Sequence, residues 1–407
     1  MKCRHCHNEL THTFLDLGFA PPSNAYLTAN DLNKPEKNYP LKVKVCEECW
    51  LVQTEDYTQA DELFSPDYAY FSSTSSGWLD HAKRYSQQMT EALNLNCDCH
   101  VIEVASNDGY LLKNFVETGI PCLGIEPTDS TANAAEKLNI PVLREFFGNK
   151  LGEQLAQEGK QADLIAGNNV YAHVPDINDF TKGLKAALKP AGIITLEFPH
   201  LMQLIKHTQF DTIYHEHFSY LSLYTVSQIF QVAGLKVWHV EELPTHGGSL
   251  RIYGCHQEDK RATTASVDAI LKQEIEEGLQ TLETYTTFQK MADHVKNNVL
   301  QFLIEQKQAG KKVAAYGAAA KGNTLLNYAG VKPDLLSFVS DAAEAKQGKY
   351  MPGSHIPILS PKAIEQQSPD FVLILPWNIA NEVMEQNSVV RDWGGQFVTA
   401  VPELKIK

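Results

Sequence analysis

From His100 onward, short apolar runs alternate with amphipathic segments, and this alternation limits the fold more strongly than any other feature of the chain. Buried strands are predicted for HVIEVAS, PCLGIEP, ADLIAGNNV and GIITLEF. Helices are predicted for YLLKNFVET, STANAAEKLN and NDFTKGLKAAL, which lie between those strands. Strands that alternate with helices in this way form a parallel, doubly wound sheet, so the sequence predicts an α/β fold.

The end of this segment departs from the parallel pattern. YTVSQIFQVAG predicts a helix, and LKVWHVEEL and GGSLRIYGC predict two strands joined only by the residues around Thr245–Gly247. Such a short connection cannot make a parallel crossover, so the last strand must be antiparallel. A doubly wound sheet with an antiparallel final strand is typical of the seven-stranded, Rossmann-like class I methyltransferase core.

The pattern predicts three domains. Residues 1–70 are irregular and cysteine-bearing, 71–262 contain the seven-stranded core, and 263–407 begin with a long helical stretch interrupted near Thr286. KVAAYGAAAKGNTLLNYAG, LLSFVSD and DFVLILPWN then predict a strand, a glycine turn, a helix and further strands. The last segment is therefore expected to be a second, smaller Rossmann-like α/β domain.

Charge and composition exclude several classes of function. The 407 residues carry a formal net charge of −14, which argues against extensive nucleic-acid binding because phosphates need a basic face. MKCRHCHNEL lacks the apolar region of a signal peptide, and no apolar run approaches the ~18 residues of a membrane span. We therefore expect a cytoplasmic, monomeric protein with no membrane partner, whose eight cysteines are ligands or free thiols.

Two identical CxxC pairs near the N-terminus predict a metal site. The pairs are Cys3 with Cys6 and Cys46 with Cys49, and together they offer four thiolates for tetrahedral zinc. Four protein ligands leave no open position, so the zinc would be structural and would stabilise a segment with little core of its own. Four free buried thiols are the alternative, and His5 and His7 are nearby substitute ligands.

The turn after the first strand of the core predicts a cofactor site, because ligands of doubly wound sheets bind beyond the carboxyl ends of the strands. An acid at the tip of the second strand, here Glu126, is typical of a ribose contact. The predicted cofactor-binding residues follow three strands of this sheet and are Glu103, Ala105, Asn107, Asp108, Gly109, Glu126, Asn168 and Asn169.

Two cofactors are compatible with such a turn. A dinucleotide needs G-x-G-x-x-G, whereas ASNDG has one glycine, and Asp108 would repel a pyrophosphate. S-adenosylmethionine carries a sulfonium cation and no phosphate, so it tolerates nearby acids. The turn and the antiparallel strand favour S-adenosylmethionine; a ligand-free α/β domain is the third alternative.

FDTIYHEHFSY places ionisable groups in a pattern that no helix or strand periodicity explains. It follows the fifth strand, so it lies on the ligand side of the sheet, and it must be an irregular loop if several of its side chains meet one substrate. Histidine is the usual general base because its ordinary pKa is near 6.5. A hydrogen-bonded structural cluster of His215, Glu216 and His217 is the alternative, and His173 is a second candidate base.

The sequence resembles the sugar C-methyltransferases of the tylosin and tetronitrose type over nearly its whole length. The stretches that carry the resemblance are CRHC with CEEC, DLGFAPPSNAYL, FSPDYAYFSSTSSGWLDHA, EVASNDGYLL, GNNVYAHVPDINDF, EFPHL, YHEHFSYLSL, THGGSLRIYG, AYGAAAKGNTLLNY and LPWNI. The resemblance implies a zinc-binding N-terminal module, a central S-adenosylmethionine domain and a C-terminal domain that helps to hold a nucleotide-sugar. It also implies a substrate with a keto group at C-4 and methylation at C-3.

The resemblance assigns roles to the site residues. It implies His217 as the base, Tyr214 and Glu216 as neighbours in the site, and His173 as a further member. It adds a tyrosine of the DYAY stretch, Tyr68, with Tyr70 as second choice. One departure is Ala105, where methyltransferase turns more often have glycine, and its methyl group is expected to crowd the cofactor.

The residues of the YHEHF stretch have the functional groups that methylation at C-3 requires. A C-4 keto group acidifies the proton at C-3, which His217 would remove, while Tyr214, His173 or backbone N–H groups would stabilise the enolate oxygen. Glu216 would hold His217 in the correct tautomer. Loss of a general base typically lowers the rate ~10²–10⁴-fold.

The C-terminal glycine turn AYGAAAKGNTLL can offer backbone N–H groups to a phosphate. The predicted substrate-binding residues are Lys321, Asn323, Arg251 and Trp377. The leading hypothesis is an S-adenosylmethionine-dependent C-methyltransferase of branched-chain deoxysugar biosynthesis. The alternatives are a nicotinamide-dependent nucleotide-sugar epimerase or reductase and a non-catalytic zinc-dependent binding module.

Overall fold

The N-terminal region forms an antiparallel sheet. A computed structural model describes residues 1–57 and 71–407, and its strands are numbered in chain order. The sheet runs in the order β1-β2-β3-β9 and consists of His12–Ala20, Tyr39–Val45, Val52–Thr54 and Ser219–Tyr220. In β2, every second side chain from Leu41 is apolar and buried, as expected for a strand with one face on the core. The fourth strand, β9, comes from the centre of the chain, directly after the YHEHF stretch.

The central sheet has seven strands in the order β10-β11-β8-β7-β4-β5-β6. Their bounds in chain order, from β4 to β8 and then β10 and β11, are Val101–Val104, Cys122–Ile125, Val142–Leu143, Ala162–Asn168, Leu188–Pro199, Leu235–Leu243 and Ser249–His256. β11 pairs antiparallel with both β10 and β8, whereas β4 to β8 are parallel. The short turn at Thr245–Gly247 thus produces the predicted antiparallel strand, and the predicted methyltransferase-type α/β core is confirmed.

The C-terminal sheet has six strands in the order β14-β13-β12-β15-β16-β17. Their bounds, from β12 to β17, are Val313–Tyr316, Val339–Ser340, Ile358–Leu359, Phe371–Ile374, Gln396–Thr399 and Lys405–Ile406. All pairs are parallel except β16 with β17. This is the expected smaller α/β sheet.

Helices cover the two parallel sheets and connect them. Among the described residues of the first half of the chain they are Ser76–Leu93, Leu112–Glu117, Asp129–Glu136, Asn149–Gln157, Ile177–Ala187, Leu201–Lys206 and Leu223–Val232. In the second half they are Ala265–Glu276, Leu282–Thr286, Phe288–Gln308, Ala320–Tyr328, Lys362–Gln367 and Ala380–Gln386. The predicted interruption near Thr286 is confirmed. Among the helices of the described ranges, none has the length and apolarity that crossing a membrane requires.

The C-terminal helix Ala320–Tyr328 packs against the short turn Phe210–Thr212, which precedes the YHEHF stretch. Thr324 Oγ1 donates to the Ile213 carbonyl at 2.8 Å, and Asn323 Nδ2 donates to the Ser23 carbonyl at 2.6 Å. These bonds join the C-terminal α/β unit both to the central loop and to the N-terminal region. The three parts of the chain therefore converge on the residues around 210–217.

Candidate active site

One cavity of about 590 Å³ lies where the carboxyl ends of the central strands face the C-terminal α/β unit. Its lining includes many of the residues predicted for the cofactor, the base and the substrate: Ala105, Asn107, Glu126, Asn168, Asn169, His173, Tyr214, His217 and Lys321. The fold thus brings together residues that are far apart in sequence.

The turn after β4 adopts left-handed backbone conformations. Ala105 has φ 57°, Asn107 has φ 49° and Gly109 has φ 79°. A Cβ at Gly109 would collide with the Ile140 side chain, so glycine is required there for packing and backbone conformation. Gly109 is not among the cavity-lining residues, and its predicted cofactor contact stays a prediction.

Ala105 lines the cavity in a conformation that costs an alanine roughly 1–2 kcal/mol relative to the right-handed region. Ala105→Gly is expected to raise the free energy of unfolding by about 1 kcal/mol, because glycine adopts this φ without strain. It should also tighten S-adenosylhomocysteine binding, because the methyl group leaves the cavity wall. Chemical denaturation and calorimetry measure the two effects; a less stable variant with weaker binding would contradict this account of the turn.

The acids near this turn have different environments. Glu126 accepts hydrogen bonds from the backbone N–H of Asn107 and of Thr128, both at 3.0 Å, which holds its carboxylate at the cavity wall. Asp108 accepts from the Ser73 N–H at 3.0 Å, and Glu103 is completely buried, which raises the pKa of its carboxyl. Neither Glu103 nor Asp108 is among the cavity-lining residues, and a cofactor contact for these two acids stays a prediction.

The amides at the end of β7 present unsatisfied acceptors. Asn168 Oδ1 and Asn169 Oδ1 are buried and have no hydrogen-bond partner among the described residues. The other ends of the two side chains are held, since Asn168 Nδ2 donates to the Tyr110 hydroxyl at 3.2 Å and Asn169 Nδ2 donates to His246 Nε2 at 2.9 Å. A buried acceptor without a hydrogen bond raises the free energy of the folded protein until a donor binds to it. The two amide oxygens therefore fit a ligand that carries an ammonium group.

YHEHF is an irregular loop between the turn Phe210–Thr212 and β9. His217 donates from Nδ1 to the Thr212 carbonyl at 2.9 Å, so Nε2 is the unprotonated nitrogen of the neutral ring. Burial lowers the pKa of His217 well below its ordinary value, and the nearby His173 lowers it further. The Thr212 carbonyl therefore sets the tautomer, which corrects the expectation that Glu216 does so.

The other members of the loop surround this imidazole. The Tyr214 and His173 rings lie 4.0 and 4.6 Å from the His217 ring, centroid to centroid. His173 donates from Nδ1 to the Glu216 carbonyl at 2.8 Å, and burial lowers the pKa of His173 to about 4. Glu216 does not line the cavity; its carboxylate accepts from Asn24 Nδ2 at 3.2 Å, and burial raises its pKa.

Only one of the four predicted substrate-binding residues reaches this cavity. Lys321 lines it, donates to Asn378 Oδ1 at 2.8 Å and lies over the Trp377 ring at 4.6 Å. Burial lowers the pKa of Lys321 to about 8, against the opposing effect of Asp211.

The other three predicted substrate-binding residues have partners within the fold. Trp377 Nε1 donates to Asp211 Oδ2 at 2.7 Å, Asn323 is bound to Ser23, and Arg251 pairs with Glu197 at 2.7 Å. Arg251 lines a second cavity of about 920 Å³ next to the first. A substrate contact for these three residues stays a prediction, and in the structure their polar groups bond to other parts of the fold. Tyr68 and Tyr70 lie outside the described residues.

The four predicted zinc ligands form a cluster in the N-terminal sheet. All four sulfur atoms lie within 4.8 Å of one another, with Cys3 to Cys49 and Cys6 to Cys46 both at 3.5 Å. Sulfurs on one tetrahedral zinc at about 2.3 Å lie about 3.8 Å apart, so the cluster fits the ion. The His5 ring is bound to Asn178 instead, which leaves the four cysteines as the ligand set.

Several lining residues were missed by the sequence reasoning. Trp78 stacks on His81 and contacts His246 edge to face, and Lys346 approaches from the C-terminal unit. Phe146, 55% exposed, and Phe147 lie at the cavity mouth after β6. Two adjacent aromatics within four residues of the end of a parallel strand were an available signal for this pair; no motif indicates Lys346.

Three family models match consecutive parts of the chain. They are "Putative zinc binding domain" at residues 3–64, "Methyltransferase domain" at 78–240 and "C-methyltransferase C-terminal domain" at 244–402. C-methyltransferase NovU of Streptomyces niveus is 32% identical over 405 residues, which cover 100% of this chain and 96% of that protein. The chain belongs to this C-methyltransferase family.

Solved structures match part of the chain. PH0226 protein from Pyrococcus horikoshii OT3 has a TM-score of 0.38 and 13% identity, covering 49% of this chain and 100% of that one. Magnesium protoporphyrin IX methyltransferase from Synechocystis PCC 6803 with bound SAM has a TM-score of 0.34 and 13% identity, covering 44% and 80%.

As a C-methyltransferase of this family, the protein uses S-adenosylmethionine and carries zinc. The choice of S-adenosylmethionine over a dinucleotide, made from the ASNDG turn and the antiparallel final strand, is confirmed. The unsatisfied amide oxygens of Asn168 and Asn169 and the Glu126 carboxylate are the groups of this cavity that fit such a cofactor. The epimerase or reductase and the non-catalytic module have no support in these matches.

Proposed function

We propose that this C-methyltransferase transfers a methyl group to C-3 of a nucleotide-linked 4-keto-deoxysugar in branched-chain deoxysugar biosynthesis, with His217 as the base. One observation carries the proposal: a neutral imidazole with an unprotonated Nε2 lines the same cavity as the residues at the strand tips. The sugar class rests on the motif resemblance described for the sequence.

A base is needed because a carbon atom next to a carbonyl is a poor nucleophile until it loses a proton. His217 Nε2 accepts the C-3 proton, and the electron pair of the broken C–H bond moves onto the C-4 oxygen. Thr212 holds Nδ1 protonated during this step, so the ring accepts the proton only at Nε2. The resulting imidazolium then loses the proton to water before the next turnover.

When bound, S-adenosylmethionine would supply the electrophilic methyl group to C-3 and would leave as S-adenosylhomocysteine. The chain's contribution to this step is positioning, which can supply several kcal/mol of a barrier. Asn168 and Asn169 would accept hydrogen bonds from its ammonium group, and Glu126 would accept from its ribose hydroxyls. Phe146 and Phe147 also line the cavity and would offer apolar surface to its adenine.

The substrate's phosphates belong at the opposite wall. Lys321 and Lys346 both line the cavity there and bring positive charge from the C-terminal unit. Trp377, Asn323 and Arg251 act indirectly in this proposal, by fixing the loops that carry the lysines and the THGGS turn. Tyr68, implied by the resemblance, is kept as a further member of the site.

A substrate panel tests the function. Nucleotide-linked 4-keto-deoxysugars and their matched 4-hydroxy reduction products are incubated with methyl-labelled S-adenosylmethionine, and mass spectrometry and NMR locate the label. The proposal expects a new methyl group at C-3 from a keto sugar and none from its alcohol partner, because the alcohol has no acidic C-3 proton. Equal methylation of both partners, or label on oxygen, would rule out the enolate route.

The pH profile of kcat/KM follows from two of the cavity groups with shifted pKa values, His217 and Lys321. His217 must be neutral, and its lowered pKa keeps it neutral to a lower pH, so the acidic limb should lie below 6.5. Lys321 must be charged, and its pKa of about 8 predicts an alkaline limb near that pH. Lys321→Gln should lower kcat/KM and remove the alkaline limb. An acidic limb above 6.5 would contradict the buried neutral base.

A further inference from the structure

Three imidazoles line the reaction cavity, and one differs from the other two in its hydrogen bonds. His173 and His217 each donate from Nδ1 to a backbone carbonyl, so their Nε2 atoms carry lone pairs when the rings are neutral. His246 has the reverse arrangement, because its Nε2 accepts from Asn169 Nδ2 at 2.9 Å. The proton of the neutral His246 ring is therefore on Nδ1.

The turn that carries His246 is held firmly. Thr245 Oγ1 donates to the buried carboxylate of Glu197 at 2.8 Å, and His246 itself has φ 54° in the left-handed region. The His246 ring contacts Trp78 edge to face at 5.4 Å, centroid to centroid. A Cβ at Gly247 would collide with Trp377 of the C-terminal unit. The turn is thus fixed from the central sheet, from the first long helix and from the C-terminal unit.

The Nδ1–H of His246 is available to a ligand. Nδ1 has no hydrogen-bond partner among the described residues. It is also not one of the fully buried polar atoms that lack a partner, so a ligand in the cavity can reach it. Burial lowers the pKa of His246 to about 4, so the ring is neutral at physiological pH. It can therefore offer a hydrogen bond but not a positive charge. His246 and His217 line one cavity and are near enough for the charge of one to lower the pKa of the other.

We propose that His246 donates its Nδ1–H to the C-4 oxygen of the substrate and stabilises the negative charge that forms there when His217 removes the C-3 proton. Asn169 is the positioning residue, because its amide fixes the tautomer. This assignment rests on the proposed enolate route. It replaces His173 as the oxyanion donor, since the Nδ1–H of neutral His173 is already given to the Glu216 carbonyl.

Three substitutions at this position separate hydrogen-bond donation from bulk. The amide nitrogen of asparagine occupies the place of Nδ1, whereas that of glutamine occupies the place of Nε2, and asparagine also tolerates a left-handed φ. His246→Asn is expected to keep kcat within about tenfold. His246→Gln and His246→Ala are expected to lower kcat about 10²–10³-fold, the typical effect of removing one oxyanion donor.

The readouts are kcat for methyl transfer and the rate of C-3 hydrogen exchange with D₂O in the presence of S-adenosylhomocysteine. Calorimetry with S-adenosylhomocysteine checks that each variant is folded. In the wild type, ¹⁵N NMR of labelled histidine should show His246 protonated at Nδ1, and Asn169→Asp should move that proton to Nε2, because a carboxylate only accepts.

Each outcome decides the assignment. Equal losses in the Asn, Gln and Ala variants, or an Nε2-protonated ring in the wild type, would overturn it, as would near-normal exchange in His246→Ala. Failure of the proposed function has a different signature: no C-3 exchange in the wild type, or unchanged exchange in His217→Ala.

Discussion

Replacing His217 with alanine is expected to lower kcat for methyl transfer about 10²–10⁴-fold, because the substitution removes the group proposed to accept the C-3 proton. KM for either substrate should change little, since the ring occupies only a small part of the cavity wall and the strand tips are untouched. Initial rates with labelled S-adenosylmethionine measure both quantities. The variant should remain folded, because β9 and the Thr54–Phe218 backbone bond do not need the imidazole.

His215→Ala is the matched control. His215 belongs to the same loop and is also buried, but it does not line the cavity and instead contacts Tyr39 edge to face at 6.1 Å. Its removal should leave kcat within a few fold of the wild type once folding has been checked by circular dichroism. Equal losses in the two variants would show that His217 matters only for the structure of the loop.

Removing zinc is expected to abolish most methyl transfer, although the ion lies outside the reaction cavity. β3 begins three residues after Cys49 and pairs with β9, which begins two residues after His217. Thr54 Oγ1 also donates to the His217 carbonyl at 3.3 Å, and Thr225 Oγ1 donates to the Cys49 carbonyl at 3.0 Å. Zinc binding often supplies the folding free energy of such modules. Cys49→Ser should therefore disorder β3 and, with it, the YHEHF loop that carries His217.

Metal content, turnover and amide hydrogen exchange measure this coupling together. Cys49→Ser should lose zinc, lose at least about tenfold in kcat and exchange the β9 and Thr54 amides rapidly, while the amides of β4 and β7 stay protected. Cys97→Ser is the control, because Cys97 is exposed and outside the cluster, and it should keep both zinc and activity. A zinc-free protein with protected β9 amides and normal turnover would refute the coupling.

The sequence was sufficient to predict those features that are determined by residues close together in the chain. The two CxxC pairs predicted the metal cluster because identical spacing in two pairs rarely arises without a shared ligand. The antiparallel β11 followed from the short connection at Thr245–Gly247, which only a hairpin can satisfy. The turn at Ala105–Gly109 was located correctly because it follows a buried strand of a parallel sheet.

The remaining features depend on contacts between distant parts of the chain. β9 has only two residues, so no periodicity could assign it to the N-terminal sheet. The Thr212 carbonyl became the partner of His217, and Glu216 the partner of Asn24, through loop geometry that residue types alone do not specify. The close approach of Gly109 to Ile140 joins residues that are separated in the chain by a strand and two helices.

Hydrogen exchange at C-3 of the 4-keto sugar tests the central claim most directly. The enzyme, the keto sugar and S-adenosylhomocysteine are incubated in D₂O, so that no methyl group can be transferred and only deprotonation is observed by NMR. The account predicts deuterium at C-3 with the wild type and exchange slowed at least about 10²-fold in His217→Ala. Unchanged exchange in His217→Ala, or deuterium at a different carbon, would contradict it.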